Sequence, residues 1–329
     1  MGKAVEIGGG AGGEWSGWRR LDRVPSMTPD VLAEILDGGQ AFRWNRVGLS
    51  EGNAFDTTDA WRRENPVWVG VWGDCVARVR CGADGYVDWA APAALADRVG
   101  GAVESYFATT TDFAAITDAL PWRSDEHLAG CMAAFRGLRI LRQPFGETLL
   151  GFLCSATKQI VQIKQMMAAL AARHGTGIAA GVSRLPTWGE LAEIPEAELR
   201  ACLLGFRARH IAETSRFLAA RPGWLEETEA LPYARAKERL CELPGVGEKI
   251  ADCALLFGAG RLEAFPVDVW ILKTLERRYG LAGWRPAQLV QFGRTHFGRA
   301  AGLAQQFLFA WERREARRVS PRRQATQSG

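Results

Sequence analysis

Near residue 92 the spacing of apolar residues changes, and this change limits the possible folds more than any other feature of the chain. From Trp15 to about residue 90 the signal is β. Pro66-Val67-Trp68-Val69-Gly70-Val71-Trp72 is apolar and bulky, and Val76 to Arg80 sets Val against Arg. Gly73-Asp74 between the two runs suits a tight hairpin. Beyond residue 92 the spacing is helical almost throughout. It predicts helices near 124–136, 146–155, 158–173, 196–203, 207–220, 232–242, 248–258, 269–279, 286–296 and 301–316, many of them parted by short Gly- or Pro-containing breaks. The expected class is α+β: a small antiparallel β-sheet domain over 14–117, then an all-α domain over 118–318. Residues 1–13, MGKAVEIGGGAGG, read as a disordered Gly-rich leader, and 319–329 as a basic disordered tail. No repeat with a period of about 20–50 residues is present, which excludes a solenoid.

At 329 residues, 47% hydrophobic and 24% charged, the chain can bury a full-sized core. It has neither a run of about 18 apolar residues nor a signal pattern after Met1, so an intracellular, non-membrane protein is expected. The seven Cys (Cys75, Cys81, Cys131, Cys154, Cys202, Cys241 and Cys253) are odd in number and scattered. None has zinc or iron–sulfur spacing, so they read as small core residues. Most of the thirteen Trp read as core too. A net charge of +4 is mildly basic and names no ligand. Arg313, Arg314, Arg317, Arg318, Arg322 and Arg323 crowd the last stretch, as either a solvated tail or a phosphate-contacting arm.

The informative segment is Leu240 to Tyr279, LCELPGVGEKIADCALLFGAGRLEAFPVDVWILKTLERRY. An amphipathic helix over Pro232–Glu242 is stopped by Pro244. Gly245-Val246-Gly247 then permits a turn that β-carbons would obstruct, and a second helix starts near Glu248. Two helices around such a turn form a helix-hairpin-helix, whose amides and second-helix N-terminus make a seat for a phosphate oxygen. An ordinary helix corner remains the plain alternative.

Lys249 lies in the first turn of that second helix, where the macrodipole disfavours a cation. Partial burial would lower its pKa further, and a neutral amine is a nucleophile able to form a Schiff base. A surface lysine beside phosphate is the competing reading. Asp268, in Pro266-Val267-Asp268, precedes the helical run Val269–Tyr279 and is a candidate N-cap. Capping would hold its carboxylate ionised and fixed in direction. Such a carboxylate could stabilise positive charge developing on a sugar and help to accept the amine's proton. Alternatively it is only a cap.

Hairpin, lysine and Val-Asp at this spacing resemble the helix-hairpin-helix, Gly/Pro-Asp superfamily of base-excision DNA glycosylases, and within it the 8-oxoguanine DNA glycosylase family. The similarity runs from about Asp22 to Arg314. It is carried by Leu-Pro-Gly-Val-Gly-x-Lys-x-Ala-Asp-Cys ending at Cys253 and by Pro266-Val267-Asp268-Val269. Gly38-Gly39-Gln40-Ala41-Phe42-Arg43-Trp44, Leu141-Arg142-Gln143, Gly205-Phe206-Arg207-Ala208-Arg209, Gln305 and Phe309 add to it.

The resemblance implies a DNA glycosylase with AP lyase activity that flips an oxidised purine (8-oxoguanine) out of damaged double-stranded DNA. Lys249 would be the nucleophile and Asp268 its carboxylate partner. The Gly39 carbonyl would read the lesion in a pocket lined by Cys253, Phe257, Gln305 and Phe309. Gly245, Val246, Gly247 and Thr157 would contact DNA, Phe206 would wedge into the stack, and Arg207 would meet the orphaned cytosine. No cofactor is implied for the chemistry. A structural monovalent cation is implied at the backbone carbonyls of Cys241, Leu243 and Val246. A monomer is expected, in the cytoplasm or nucleoid of a bacterium or the nucleus of a eukaryote.

Some positions depart from the family pattern. Thr157 stands where an Asn fills the vacated place, Gln162 where an Arg reads the orphan base, Trp270 where a His follows Val-Asp-Val, and Phe257 where the pocket has a Met. Rival readings are a monofunctional alkyl-base glycosylase, which lacks the lysine, and an endonuclease III relative, which adds closely spaced C-terminal cysteines. A non-catalytic helix-hairpin-helix DNA-binding module and a damage reader that does not cut also remain.

Overall fold

The computed structural model describes residues 14–47 and 66–325, with side chains through residue 318. The leader expected at 1–13 lies outside the described residues. Five short strands form one antiparallel sheet: β1 (Arg19–Arg20), β2 (Trp44–Arg46), β3 (Trp68–Trp72), β4 (Cys75–Cys81) and β5 (Val87–Ala90), in the order β1-β5-β4-β3-β2. Trp72 pairs with Cys75, so Gly73-Asp74 closes the hairpin at the expected place. The β-type half also holds a helix that the apolar pattern hid, α1 (Pro29–Asp37). Its start has both common signals: the Thr28 hydroxyl caps the Val31 N–H and Pro29 occupies the first turn.

The remainder is helical: α2 (Ala96–Tyr106), α3 (Phe113–Asp118), α4 (Glu126–Ala134), α5 (Phe145–Cys154) and α6 (Ile160–His174) come first. A small hairpin, β6 (Gly177–Ala179) and β7 (Val182–Ser183), follows, then α7 (Trp188–Ala192), α8 (Glu196–Leu199), α9 (Arg207–Ala219) and α10 (Trp224–Ala230). The last five are α11 (Tyr233–Leu240), α12 (Glu248–Phe257), α13 (Val269–Tyr279), α14 (Pro286–Phe297) and α15 (Ala301–Ala325). The α+β expectation holds, and α12 and α13 begin where the sequence placed them. The helix expected at 196–203 stops at Leu199 and continues as a wide π-type turn, Arg200–Leu204, because Cys202 and Leu203 leave helical backbone angles. The β6–β7 hairpin and the short helices α3, α7 and α10 carry too few residues to show a period.

One buried apolar cluster runs from Leu21 to Ala310 through both halves of the chain. Trp44, Trp72, Tyr106 and Phe107 join sheet to helices, with Trp44 Nε1 donating to the Tyr106 hydroxyl at 3.0 Å. Trp68, Trp89 and Trp224 are also buried, but Trp18, Trp270 and Trp284 are exposed. All the cysteines are free and buried except Cys241, which is exposed in the hairpin, so the reading of every thiol as core fails there. The segment read as a disordered tail from 319 is helical to Ala325; 326–329 lie outside the described residues. Arg313 and Arg314 are no free tail: Arg313 pairs with Glu34 at 2.6 Å, and Arg314 lies over Phe135 and Trp311. No described helix is long and apolar enough to cross a membrane.

Candidate active site

The hairpin comes from short-range geometry. Helix α11 buries Tyr233, Ala236 and Leu240, and the chain then reverses through Leu243 N–H to Leu240 C=O and Val246 N–H to Leu243 C=O, both 3.1 Å. Thr214 on α9 pins the turn by donating to the Pro244 carbonyl at 3.1 Å. Gly245 has φ +79°, and a Cβ there would lie 2.6–2.8 Å from the His210 side chain, so both backbone and space require glycine. Gly247, extended at φ −95°, opens α12, and nothing lies within 4 Å of where its Cβ would stand. Gly245 and Gly247 are exposed and Val246 is buried, so the turn offers amides on an open, side-chain-free face at a helix N-terminus. The Leu243 carbonyl holds the Val246 N–H.

In the first turn of α12, Lys249 is half-buried. Its ammonium donates to Ser155 Oγ at 3.4 Å and sits 5.3 Å from the centre of the Phe152 ring. Asp252, on the next turn, is fully buried; it accepts from the Tyr233 hydroxyl at 2.7 Å and from Lys237 at 3.0 Å, both on α11. Those bonds lock the hairpin's two helices, and with them the direction of Lys249. Burial pushes the Cys253 thiol, one turn on from Lys249, up to about 12, against the pull of the neighbouring Lys249 charge.

Asp268 caps α13 as expected, its Oδ1 accepting from the N–H groups of Trp270 (3.0 Å) and Ile271 (2.9 Å). The capping bonds favour the ionised form as expected, but burial opposes them. Burial raises its pKa above the ordinary carboxylate value, outweighing the Ile271 N–H, the Lys249 charge and the Trp270 N–H, which all lower it. Asp268 and Lys249 both act on Cys253, so the three groups share one electrostatic site.

The pocket residues fall into two groups. Phe257 is buried and stacks on Phe152 at 5.5 Å, beside Lys249 and Cys253. Gly39, with φ +104° just after α1, faces Phe309: a Cβ on it would be 3.2 Å from Ile160 Cδ1 and 3.6 Å from Phe309 Cε1. Gln305, one turn before Phe309 on α15, is buried and accepts from Gln306 at 2.8 Å. Phe42, three residues beyond Gly39, packs edge-on against Phe152 at 5.2 Å and links the groups. The Gly39 turn is held from across the chain: Gln40 accepts from Leu141 N–H and donates to the Arg139 carbonyl, and Gln143 donates to the Gln40 carbonyl. Behind Phe42 and Phe152 is a cavity of about 20 Å³, room for a water but not for a base.

On the surface beside the hairpin, Phe206 is 54% exposed, as a wedge must be. Thr157 is exposed too, in a left-handed conformation at φ +56°. Arg207 is the residue expected to meet an orphan base. It is buried, donates to the Ala156 carbonyl, Thr157 Oγ1 (3.0 Å) and the Leu204 carbonyl (3.3 Å), and lies over the Phe206 ring. Gln162 closes a capping box at the start of α6, and Trp270 is partly exposed in the first turn of α13. Sequence reasoning gave no role to Phe152, Ser155 or Ile160. They touch Lys249 or Gly39 across separations of about 90 residues or more, and no local pattern signals that.

Comparison with known proteins agrees with this geometry. Residues 28–149 match the family model described as 8-oxoguanine DNA glycosylase, N-terminal domain, and residues 150–294 match HhH-GPD superfamily base excision DNA repair protein. A probable N-glycosylase/DNA lyase of Methanothermobacter thermautotrophicus is 31% identical over 227 residues, 60% of this chain and 71% of that protein. The N-glycosylase/DNA lyase OGG1 of Arabidopsis thaliana is 34% identical over 191 residues, 54% of this chain and about half (52%) of that protein. The apo 8-oxoguanine glycosylase/lyase of Clostridium acetobutylicum superposes with a TM-score of 0.72 at 29% identity, over 85% of this chain and 92% of that one. The same enzyme bound to DNA with cytosine opposite 8-oxoguanine gives 0.74 at 26% identity, over 92% and 99%. With its hairpin, lysine and capping aspartate in one site, the chain belongs to the 8-oxoguanine DNA glycosylase family of helix-hairpin-helix base-excision repair proteins.

Proposed function

We propose that this protein excises 8-oxoguanine from duplex DNA and nicks the abasic strand, acting as a bifunctional glycosylase/lyase. The observation that carries the reading is that Lys249 and Asp268 stand at the N-termini of two helices, near enough for the Lys249 charge to act on the Asp268 carboxyl, with the hairpin's open face next to Lys249. The Lys249 amine attacks C1′ of the flipped nucleotide; the C1′–N9 bond breaks, the base leaves with its electron pair, and the proton that the attacking amine gives up passes through Asp268 to the departing base. Opening of the sugar ring gives a Schiff base, and loss of a C2′ proton then expels the 3′ phosphate by β-elimination. The Asp268 carboxylate stabilises the cationic sugar and accepts the amine's proton. Gly39, Cys253, Phe257, Gln305 and Phe309 enclose the base, and Gly245 to Gly247 seat a phosphate.

The reading takes the protein to act as a monomer. The carbonyls of Cys241, Leu243 and Val246 are neutral, hard oxygen donors of the kind a monovalent cation takes, and the Leu243 oxygen keeps a second lone pair. A cation held there would add positive charge beside the phosphate seat and take no part in the bond changes.

Borohydride trapping on a duplex with 8-oxoguanine opposite cytosine tests the reading. The native chain is expected to form a covalent adduct. Lys249→Gln should form none while still binding the duplex. Turnover by Lys249→Gln would overturn the Schiff-base role, and an adduct only on another oxidised base would move the substrate.

A further inference from the structure

The turn between α8 and α9 exposes two large apolar side chains, Leu203 and Phe206. Cys202 and Leu204 are fully buried, yet Leu203 between them is 60% exposed, more than Phe206. Leu203 also has φ +67° and ψ +10°, a left-handed backbone that glycine adopts freely and leucine adopts against its own Cβ. Neither feature serves the fold: glycine there would remove the strain and the exposed apolar surface together. Strain of this kind persists where the surroundings over-determine it. Here Arg200, tied to Glu196, donates to the Gly205 carbonyl at 3.2 Å, while Arg207 holds the Leu204 carbonyl and the Ala156 carbonyl from within. The turn is braced from both sides with Leu203 directed outward.

The polar groups nearby are engaged with one another. Arg207 is buried and donates to Thr157 Oγ1, and Arg200 is held by Glu196 and the Gly205 carbonyl, so the large apolar side chains on the outward surface of the turn are Leu203 and Phe206. Proteins that unstack and bend a duplex insert apolar wedges of this kind between base steps. We propose that Leu203 is a second wedge residue, which enters the base stack with Phe206 and fills the space that the flipped nucleotide leaves. The proposal rests on the glycosylase reading above.

The test compares the full-length protein with Leu203→Gly, Leu203→Asn and Leu203→Met. Gly and Asn both accommodate the left-handed backbone but remove the apolar side chain; Met restores it. Three quantities are measured: thermal unfolding, fluorescence of 2-aminopurine placed beside the lesion as a report of unstacking, and single-turnover excision. Leu203→Gly should unfold at the same or a higher temperature, yet lose the unstacking signal and slow excision on the order of tenfold. Leu203→Asn should lose both likewise, and Leu203→Met should recover them relative to Leu203→Gly. Native unstacking and excision in Leu203→Gly and Leu203→Asn would overturn the wedge role, as would losses that simply follow a fall in stability. If the native chain gives a borohydride adduct and the variants are unimpaired, this proposal alone fails; if the native chain gives none on any lesion, the glycosylase reading fails and takes it along.

Discussion

Asp268 combines two roles that oppose each other. As the N-cap of α13 it satisfies two N–H groups, an interaction worth about 1 kcal/mol, yet its charge is held in a site where burial raises the pKa. A carboxyl whose pKa is higher folded than unfolded favours folding most below the unfolded value, and that advantage is lost as pH rises through the folded value. At neutral pH the ionised group therefore costs stability in return for a poised carboxylate. Asp268→Asn keeps an oxygen able to cap. We expect it to unfold at an equal or higher temperature than the native chain at neutral pH, with the difference closing as pH falls through the Asp268 pKa. Calorimetry across that range checks this, and excision by the variant should fall by about 10² or more. A native chain clearly more stable at neutral pH would mean that the Lys249 charge and the capping bonds outweigh burial.

The hairpin between α11 and α12 positions Lys249 through backbone geometry. Gly245 is needed for both its φ of +79° and its contact with His210, and the Asp252 bonds to Tyr233 and Lys237 tie one helix to the other. Gly245→Ala should cost about 1–3 kcal/mol of stability in denaturant unfolding. It should also weaken binding to the lesion duplex, since the displaced turn carries the phosphate seat. Unchanged affinity would show that the amides of 245–247 do not contact the backbone of DNA. The hairpin was legible in the sequence because every element of it, from Pro244 through the glycines to the Asp268 cap, acts within a few residues. Helix α1 carried equally local signals in Thr28-Pro29, but its apolar residues sat inside a stretch dominated by strands. The π-type turn at Arg200–Leu204 was not legible, because buried Cys202 and Leu204 and the two flanking arginines set it.

Across the whole molecule the continuous core, rather than charge, organises the fold, and a net +4 leaves only a modest general attraction to DNA. Affinity for a duplex should then depend on specific phosphate contacts, and log K should fall linearly with log salt, with a slope of about −0.9 per phosphate neutralised. A flat salt response would contradict duplex binding. Arg313, paired with Glu34, and Arg314, laid over Phe135 and Trp311, belong to the core edge, so the Arg-rich stretch contributes fewer free charges than its composition implies.

Local spacing alone determined the two-part α+β character, the hairpin, the place of Lys249 in the first turn of α12 and the cap at Asp268, because caps, turns and helical periods are interactions between near neighbours. Only the tertiary structure decided that Phe152 and Ser155 would meet Lys249, that Ile160 and Phe309 would close on Gly39, and that Arg207 would turn inward to Thr157. These contacts join residues far apart in the chain, and which side chains fill a given space depends on how all the helices pack at once.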